Sequence, residues 1–505
     1  MLTMSLQRYE SLVCRVWPSR SAKKLLITSF ATGLTPSRVL AAWCLAVAVV
    51  FGLAAHVNAF RHSHFFGDDL YAFALANTLP AWNYIFTPID VHPVPLHRLV
   101  NLLVSQLAPM NYAVAQAFLA SLQVATLCFL YLGLRRLKKT PANAVFVCWY
   151  GTFVLYGTMV MNWSSSLHRL PFICATAAAF WFYARYRDSG GLGDAAVVVA
   201  AMVLGLGFYE KSMLIPFALM GVELSLIGQT TRQQLRANIR LLVVLGGLMC
   251  IYFIVWRSVV ADELRSIVTD VPFLANYIWI GLGRLGMGGA GHPPPPGSLD
   301  AAAPAWILTA WLLFFIISVG RSKRSALTWV VGTLVVSIWI VVTALSPSRS
   351  EAFGLGLALV PRYYPDVMLV TALFAAIAWQ AGHWQMGWPH AGIGVALIGL
   401  FAVSSAQSAT VYQKETHSFT YEARNYLNRF VSSARAIRNT GAPLNIRDDR
   451  SPKYLETFVN HKFLVTATGV DAVVVSVPSQ AQFFVRHDGE IVPLSRPSST
   501  MSSRR

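Results

Sequence analysis

The feature that most constrains this chain is a series of long apolar runs separated by short polar segments. About eleven of these runs approach the roughly 20 apolar residues that an α-helix needs to cross a bilayer. Inside a bilayer every backbone polar group must be bonded internally, so such a chain folds as a bundle of helices. The sequence therefore predicts an all-α polytopic membrane protein with about 11 transmembrane helices. The runs lie near residues 38–57, 112–134, 142–160, 167–184, 194–209, 212–228, 239–257, 304–320, 326–345, 363–381 and 391–409.

The balance of residue types also favours a membrane environment. Hydrophobic residues make up 55% of the chain and charged residues only 12%, against about 25% in a soluble domain. The net charge of +18 would suggest nucleic acid for a soluble protein, but basic loops explain much of it and no basic–aromatic repeat is present. The cysteines match neither a metal cluster nor a disulfide framework, and they are Cys14, Cys44, Cys128, Cys148, Cys174 and Cys250.

Lysine and arginine gather in alternate connections between the apolar runs. Because positively charged loops stay in the cytoplasm, this pattern predicts a cytoplasmic N-terminus and an extracytoplasmic C-terminus. The style of the sequence indicates a bacterial inner (plasma) membrane. The basic segments are residues 1–37, 135–139, 185–187, 232–240 and 321–324, and the main outer loops are then 58–111, 258–303 and 346–362.

The chain divides into four predicted regions. A basic cytoplasmic segment (1–37) precedes a transmembrane domain (38–409) whose first outer loop is 58–111. Residues 410–495 form a small extracytoplasmic α+β domain, because a polar helical stretch is followed by β-like runs at 471–477 and 482–486 and by a hairpin turn at His487-Asp488-Gly489. The Ser- and Arg-rich residues 496–505 are predicted to be disordered.

The first outer loop holds the most conspicuous polar residues. Asp68 and Asp69 stand side by side in a chain with only 22 acidic residues. Adjacent carboxylates repel each other, so they persist when solvated, paired with a cation or used in chemistry. Further along the loop, His92, His97 and Arg98 follow one another closely beside two prolines. Imidazole and guanidinium groups suit a phosphate or sugar hydroxyls, although a loop that merely faces water and headgroups explains these residues equally well.

Two later clusters fall on the same predicted side. Glu210 and Lys211 lie in a tight connection between two runs, where an ion pair at a helical hairpin is the structural alternative. Arg362 and Tyr363 open a late run, where an aromatic belt with a snorkelling arginine is the alternative. The runs themselves carry almost no charge near their centres, so polar chemistry gathers at the outer boundary of the membrane.

Together these motifs resemble the GT-C superfamily of membrane glycosyltransferases, in particular the protein O-mannosyltransferases and the aminoarabinose transferases. Asp68-Asp69 matches the acidic pair of the first outer loop, and His92-Pro93-Val94-Pro95-Leu96 resembles a His-Pro-Pro-Leu element. Glu210-Lys211 resembles a paired Lys and Glu in a later loop, in the opposite order, and Arg362-Tyr363 resembles an Arg-Tyr element.

The resemblance implies transfer of a sugar from a polyprenyl-phosphate donor to an extracytoplasmic lipid, glycan or protein acceptor. One of Asp68 and Asp69 would be the general base, and a single displacement would invert the anomeric carbon. The donor and its phosphate would be bound by residues from the other clusters. Some members use a divalent cation (Mg or Mn) and others do not, so a metal site stays open. The implied donor-binding residues are His92, His97, Arg98, Glu210, Lys211, Arg362 and Tyr363.

Three other readings remain. A polymerase or ligase of lipid-linked glycans uses similar donors and places arginines in a large late loop, which Arg265 and Arg284 in loop 258–303 would provide. A lipid or solute transporter would need ionisable groups along a path through the membrane. A non-catalytic membrane subunit would need none of this chemistry.

Overall fold

The structure is a computed structural model in which helices dominate. It describes residues 36–89, 92–153, 163–227, 230–259, 274, 277–278, 305–344, 363–381, 388–449, 460–476 and 480–494. The predicted cytoplasmic segment before residue 36, most of loop 258–303 with Arg265 and Arg284, the loop 346–362 with Arg362, and the tail from 495 lie outside the described residues.

The helices follow the apolar runs closely. In chain order they are α1 Pro36–His62, α2 Asp68–Thr78, α3 Ala81–Phe86, α4 Pro95–Leu107, α5 Tyr112–Leu137, α6 Ala142–Gly151, α7 Trp163–Ser189, α8 Leu192–Phe208, α9 Ile215–Ser225, α10 Arg232–Val259, α11 Ala305–Gly320, α12 Lys323–Ala344, α13 Pro365–Gln380, α14 Trp388–Asn439 and α15 His461–Thr468. A 3-10 turn, Glu210–Leu214, joins α8 to α9. Each predicted run overlaps a helix, and residues 154–160 of the run 142–160 lie outside the described residues.

Four described helices are long and apolar enough to cross a membrane: Ser37–His62, Tyr112–Leu137, Arg232–Val259 and Lys323–Val342. Leu192–Phe208 and Pro365–Gln380 are shorter apolar helices. α9 has only 11 residues and so rises about 17 Å, roughly half the thickness of the hydrocarbon core. The composition and these helices are those of a membrane protein, while the number of crossings stays a prediction.

One end of the bundle collects the basic connections. Arg136 Nε contacts Asp188 Oδ2 at 2.5 Å, which joins the end of α5 to the end of α7. Arg187 Nε lies 2.8 Å from Glu223 Oε2 near the end of α9, and Arg324 Nη2 donates to the carbonyl of Ile227 at 3.3 Å. The basic segments 135–139, 185–187 and 321–324, which the sequence assigns to the cytoplasm, therefore lie at the same end of the described bundle.

The opposite end carries the first outer loop. In the chain, α2, α3 and α4 connect α1 to α5. The first outer loop (58–111) is therefore largely helical, although its sequence suggests a single polar connection. Gly207, near the end of α8, packs directly on Leu96 of α4, where an added Cβ would lie 2.5 Å from Leu96 Cγ. This close approach brings the turn that follows α8 against the outer loop.

The small C-terminal domain rests on the outer loop. Its sheet has the order β2-β1-β3-β4, with β1 (Asn445–Arg447), β2 (Val473–Val475), β3 (Phe483–Val485) and β4 (Ile491–Pro493). β1 pairs in parallel with β2 and β3, while β3 and β4 form an antiparallel hairpin closed by Gly489 at φ 90°. The hairpin turn expected at His487-Asp488-Gly489 is present.

The helix that leads into this domain is longer than expected. α14 has 52 residues, because no glycine or proline interrupts the chain from 400 to 439, so the predicted boundary at 409–410 falls inside a helix. The domain then contacts α2 directly. Asn77 Nδ2 donates to the Thr466 carbonyl at 2.8 Å, and the Tyr71 and Phe463 ring centroids are 5.6 Å apart.

Candidate functional site

The two adjacent aspartates begin α2 but occupy different environments. Gly67 precedes them at φ 50°, a backbone conformation that favours glycine, and lets the chain turn sharply into the helix. Asp68 is exposed, whereas Asp69 is only 1% exposed. Of the two adjacent acids, one carboxyl group is therefore at the surface and the other is in the interior.

Asp69 links α2 to the first turn of α7. Its Oδ2 accepts the N–H of Phe66 at 3.2 Å, and its Oδ1 accepts the N–H of Ser164 at 2.8 Å. The first N–H groups of a helix have no partner within the helix, and the helix dipole is positive there, so a carboxyl group is well suited to this position. The beginning of α2 is thereby fixed against α7.

The ionisation of Asp69 explains how the acid pair coexists. Burial raises the pKa of Asp69 from its usual 3.8 to about 8; the N–H groups of Phe66 and Ser164 lower this pKa, and the charge of Asp68 raises it. At neutral pH Asp69 therefore holds a proton, and the repulsion that two adjacent carboxylates would suffer is removed.

His97 lies on the other side of Ser164. The ring is fully buried, and its Nε2 lies 3.4 Å from the Ser164 carbonyl. Asn101 Nδ2 donates to Nδ1 at 3.2 Å, so the proton of the neutral ring is on Nε2. Asn101 is fixed in turn by Trp163, whose Nε1 donates to Asn101 Oδ1 at 2.7 Å. Burial lowers the pKa of His97 to about 3, so the ring stays neutral.

His92 and Glu210 form the next contact of the cluster. Two backbone hydrogen bonds between Ile89 and His92, of 2.8 and 3.0 Å, hold His92 in a tight turn. Its Nδ1 lies 3.0 Å from Glu210 Oε2. Burial raises the pKa of Glu210, but the charge and hydrogen bond of His92 outweigh this effect, and the pKa is lower than usual. The His168 ring stands between the two outer-loop histidines, with centroid distances of 5.7 Å to His92 and 4.1 Å to His97.

A group of cations and tyrosines completes the cluster. The guanidinium of Arg169 lies 5.6 Å from the centroid of Tyr209 and 4.8 Å from that of Tyr363. Lys211 Nζ lies 5.6 Å from the same Tyr209 ring and 2.8 Å from Asp366 Oδ2 at the start of α13. The side chains of Lys211 and Asp366 are 3% and 2% exposed, so this is a deeply buried ion pair.

The first turns of α7 are the centre on which these segments converge. Ser164, His168 and Arg169 contact residues from α2, α4, the turn before α4, the turn after α8 and the start of α13. Asp69, His92, His97, Glu210, Lys211 and Tyr363 are thus brought together, with Asp68 next to them at the surface.

Arg98 is the predicted site residue that faces elsewhere. Its Nε donates to the Thr87 carbonyl at 3.2 Å and its Nη2 to the Pro88 carbonyl at 3.0 Å. The guanidinium also stacks on Tyr84 at 4.8 Å from the ring centroid. These contacts brace the outer loop. Arg362 precedes Tyr363 but lies outside the described residues.

The divalent cation left open by the sequence finds no ligand set among the described residues. No three His, Cys, Asp or Glu side chains there converge as metal ligands. Asp69 already accepts two backbone N–H groups, and His92 faces Glu210.

The buried titratable groups predict a maximum in stability near pH 6.5. Between its usual pKa of 3.8 and about 8, Asp69 binds a proton on folding, so rising pH destabilises the protein by about 1.4 kcal/mol per unit. His97 and His64, with their pKa values lowered by burial to about 3 and about 4, must lose protons on folding below pH 6.5. Below pH 6.5, falling pH therefore destabilises the folded protein. The lowered pKa values of Glu210 and His461 also make the folded protein less stable as the pH falls.

Thermal unfolding of the purified protein from pH 5 to 8.5 checks this prediction. Asp69→Asn should flatten the decline of the melting temperature above pH 6.5 and steepen its rise below pH 6.5, where Asp69 opposes the effect of the histidines. An unchanged alkaline decline in this variant would assign it to a different group.

No known family profile and no curated protein matches this chain. Among solved structures, the chain is similar to the oligosaccharyltransferase of Archaeoglobus fulgidus in its apo form, with 13% sequence identity and a TM-score of 0.43. The similarity covers 87% of this chain, which spans only 65% of the length of the archaeal one. A likeness of this degree carries no argument about activity.

Proposed function

We propose that this protein is an integral-membrane glycosyltransferase that moves a sugar from a polyprenyl-phosphate donor to an extracytoplasmic acceptor. The observation that carries the proposal is that segments far apart in the chain bring the acid pair, His92, His97 and Lys211 together with His168 and Arg169 of α7. They gather at the end of the bundle opposite the basic connections. A transfer between a lipid-borne sugar and an acceptor in water requires its chemistry at such a boundary.

The difference between the two aspartates suggests a division of work. Asp68, exposed at the start of α2, is the general base that takes the proton of the acceptor hydroxyl. Asp69 positions it, because its two backbone contacts fix the turn on which Asp68 stands. The acceptor oxygen forms the new bond to the anomeric carbon while the bond from that carbon to the phosphate oxygen breaks. The polyprenyl phosphate leaves with the electron pair, and the configuration is inverted.

The remaining residues of the cluster are proposed to bind the donor. Charge develops on the leaving phosphate, so fixed cations close to it supply most of the stabilisation of the transition state. Of the cations that the sequence singles out, Lys211 lies in this cluster. The same region is lined by His92, His97, Glu210 and Tyr363, which would contact the sugar or the phosphate. Arg362, which directly precedes Tyr363 in the chain, is also proposed to bind the donor. The brace formed by Arg98 supports them from the outer loop.

The proposed place of action is a bacterial inner membrane, with the site on the extracytoplasmic face. The donor's lipid chain would lie between helices, and the acceptor would be a lipid, a glycan or a protein. The C-terminal domain contacts α2 and so lies next to the acid pair, which makes it a candidate for guiding the acceptor.

Compositional analysis of envelope glycans and lipids from cells that lack this protein tests the proposal. One sugar should be missing from one acceptor, the lipid-linked donor should accumulate, and the wild-type gene should restore both to normal. A donor trapped on the cytoplasmic face would instead identify a transporter, and short or unligated glycans on a normal lipid carrier would identify a polymerase or ligase. An unchanged envelope would refute the transferase assignment.

A further inference from the structure

Arg169 is a buried cation whose hydrogen-bonding capacity is not used within the described part of the chain. The residue is 5% exposed, and its buried Nη1 has no hydrogen-bond partner there. No carboxylate forms an ion pair with it among the described residues, although three other arginines and one lysine near the bundle ends have such partners. Burial of an uncompensated charge is costly, so a position of this kind is expected to serve an anionic ligand.

The surroundings of Arg169 hold the guanidinium without neutralising it. Tyr209 and Tyr363 lie at 5.6 and 4.8 Å from it and stabilise a cation through their ring faces. Tyr277 fixes this wall, because its hydroxyl donates to the Tyr363 carbonyl at 2.6 Å and its ring stacks on Tyr364 at 4.3 Å. Aromatic rings orient the guanidinium but accept none of its in-plane hydrogen bonds.

The neighbouring charges leave Arg169 as the cation with spare donors. Lys211 lies on the same Tyr209 ring, but Asp366 compensates its charge at 2.8 Å. Glu210, the other buried acid nearby, faces His92 at 3.0 Å. A planar guanidinium binds two oxygens of a phosphate at once, which an ammonium does not do, so Arg169 suits this ligand better than Lys211.

We propose that Arg169 binds the phosphate group of a lipid phosphate at this site. The inference rests on the proposed function, because it assigns the anion to the leaving group of the donor. Arg169 then both holds the donor before transfer and stabilises the charge that grows on its phosphate. Lys211 Nζ also lies 5.6 Å from the centroid of the Tyr209 ring and is close enough to assist.

Binding of farnesyl phosphate to the purified full-length protein in nanodiscs tests this inference. Farnesol, which has the same chain without the phosphate, and inorganic phosphate, which lacks the chain, are the comparison ligands. Arg169→Gln should weaken farnesyl phosphate binding about 10- to 100-fold, as expected for loss of charge-assisted hydrogen bonds. Arg169→Lys keeps the charge but not the fork, and should recover part of the affinity.

The same helix offers a matched control. Arg185 lies at the other end of α7 and also stands over two aromatic rings, Trp181 at 5.6 Å and Phe182 at 5.3 Å, but it is paired with Asp194 at 3.1 Å. Arg185→Gln should leave the affinity for farnesyl phosphate unchanged. Melting temperatures of all variants are measured, and Arg169→Lys serves as the main comparison if Arg169→Gln does not fold.

Each outcome bears on the inference separately from the transferase assignment. Equal binding of farnesyl phosphate by wild type and both Arg169 variants overturns the inference but leaves a lipid-phosphate donor in place. Binding of inorganic phosphate that depends on Arg169, without binding of farnesyl phosphate, keeps the anion site and removes its assignment to a lipid donor. If the wild-type protein binds neither farnesyl phosphate nor inorganic phosphate, both the inference and the proposed polyprenyl-phosphate donor are overturned.

Discussion

Asp68→Asn is expected to reduce sugar transfer by about 10²- to 10⁴-fold while leaving the melting temperature unchanged. The side chain is exposed at the start of α2, so an amide of nearly the same shape fits without loss of packing. An amide is not a base at neutral pH, and the proton of the acceptor hydroxyl then has no acceptor of the required strength. The measurements are donor turnover by the purified protein and restoration of the missing sugar in cells.

Asp69→Asn provides the informative comparison. Asparagine has one acceptor oxygen, so its NH₂ group must face either the N–H of Phe66 or that of Ser164. A buried donor left unsatisfied costs about 1–3 kcal/mol, so this variant should lose stability as well as transfer. Glu422→Gln, at an exposed acid on α14, is the control and should change neither. Normal transfer by Asp68→Asn, or equal loss of stability in both aspartate variants, would contradict the division of work between them.

The sequence predicts the helices well because an apolar run of sufficient length has few other ways to fold. The sequence also predicts that the basic connections lie on one side of the membrane, and Arg136, Arg187 and Arg324 from three of them do lie at one end of the bundle. It does not fix the length of each helix in the bundle. α9 is short because the 3-10 turn at Glu210–Leu214 takes up the beginning of its apolar run. Pro216, in the first turn of α9, is consistent with this late helix start.

The site was predictable as a set of residue types but not as a geometry. Asp69, His92 and Glu210 stand out as polar residues between apolar runs, and the structure does bring them together. Asp69 and His97 share the partner Ser164, which acts through its backbone N–H and carbonyl groups. Every residue except proline has both groups, so no sequence signal marks it. Arg169 lies at the start of the apolar run 167–184, and only the fold reveals that it is buried.

Arg98 illustrates the opposite limit. Its place beside His97 suggested a phosphate-binding cation, but neighbouring residues on a helix point in directions about 100° apart. His97 consequently faces Ser164, while Arg98 faces the carbonyls of the chain that precedes its own helix. A loop that must present several side chains in one direction needs hydrogen bonds that fix its own backbone. Arg98 supplies them, because its guanidinium donates to two carbonyl groups of the loop.

Lys211→Met is expected to lower the free energy of unfolding by about 3–5 kcal/mol, the largest stability effect in this site. The change leaves Asp366 charged, 2% exposed and without its partner at 2.8 Å. Denaturant titration in mixed micelles measures the loss. Arg429→Met, which breaks an exposed pair with Asp488, is the control and should cost no more than about 1 kcal/mol.

Adding Asp366→Asn to Lys211→Met separates the structural role of Lys211 from its proposed role with the donor. The double variant has no buried charge at this position, so a substantial part of the lost stability should return, and the cycle of single and double variants measures the coupling. If Lys211 also acts on the donor's phosphate, transfer should stay low in this stabilised protein, because the cation is still missing. Recovery of both stability and transfer would show that Lys211 serves only to compensate Asp366, and would leave the phosphate to Arg169 alone.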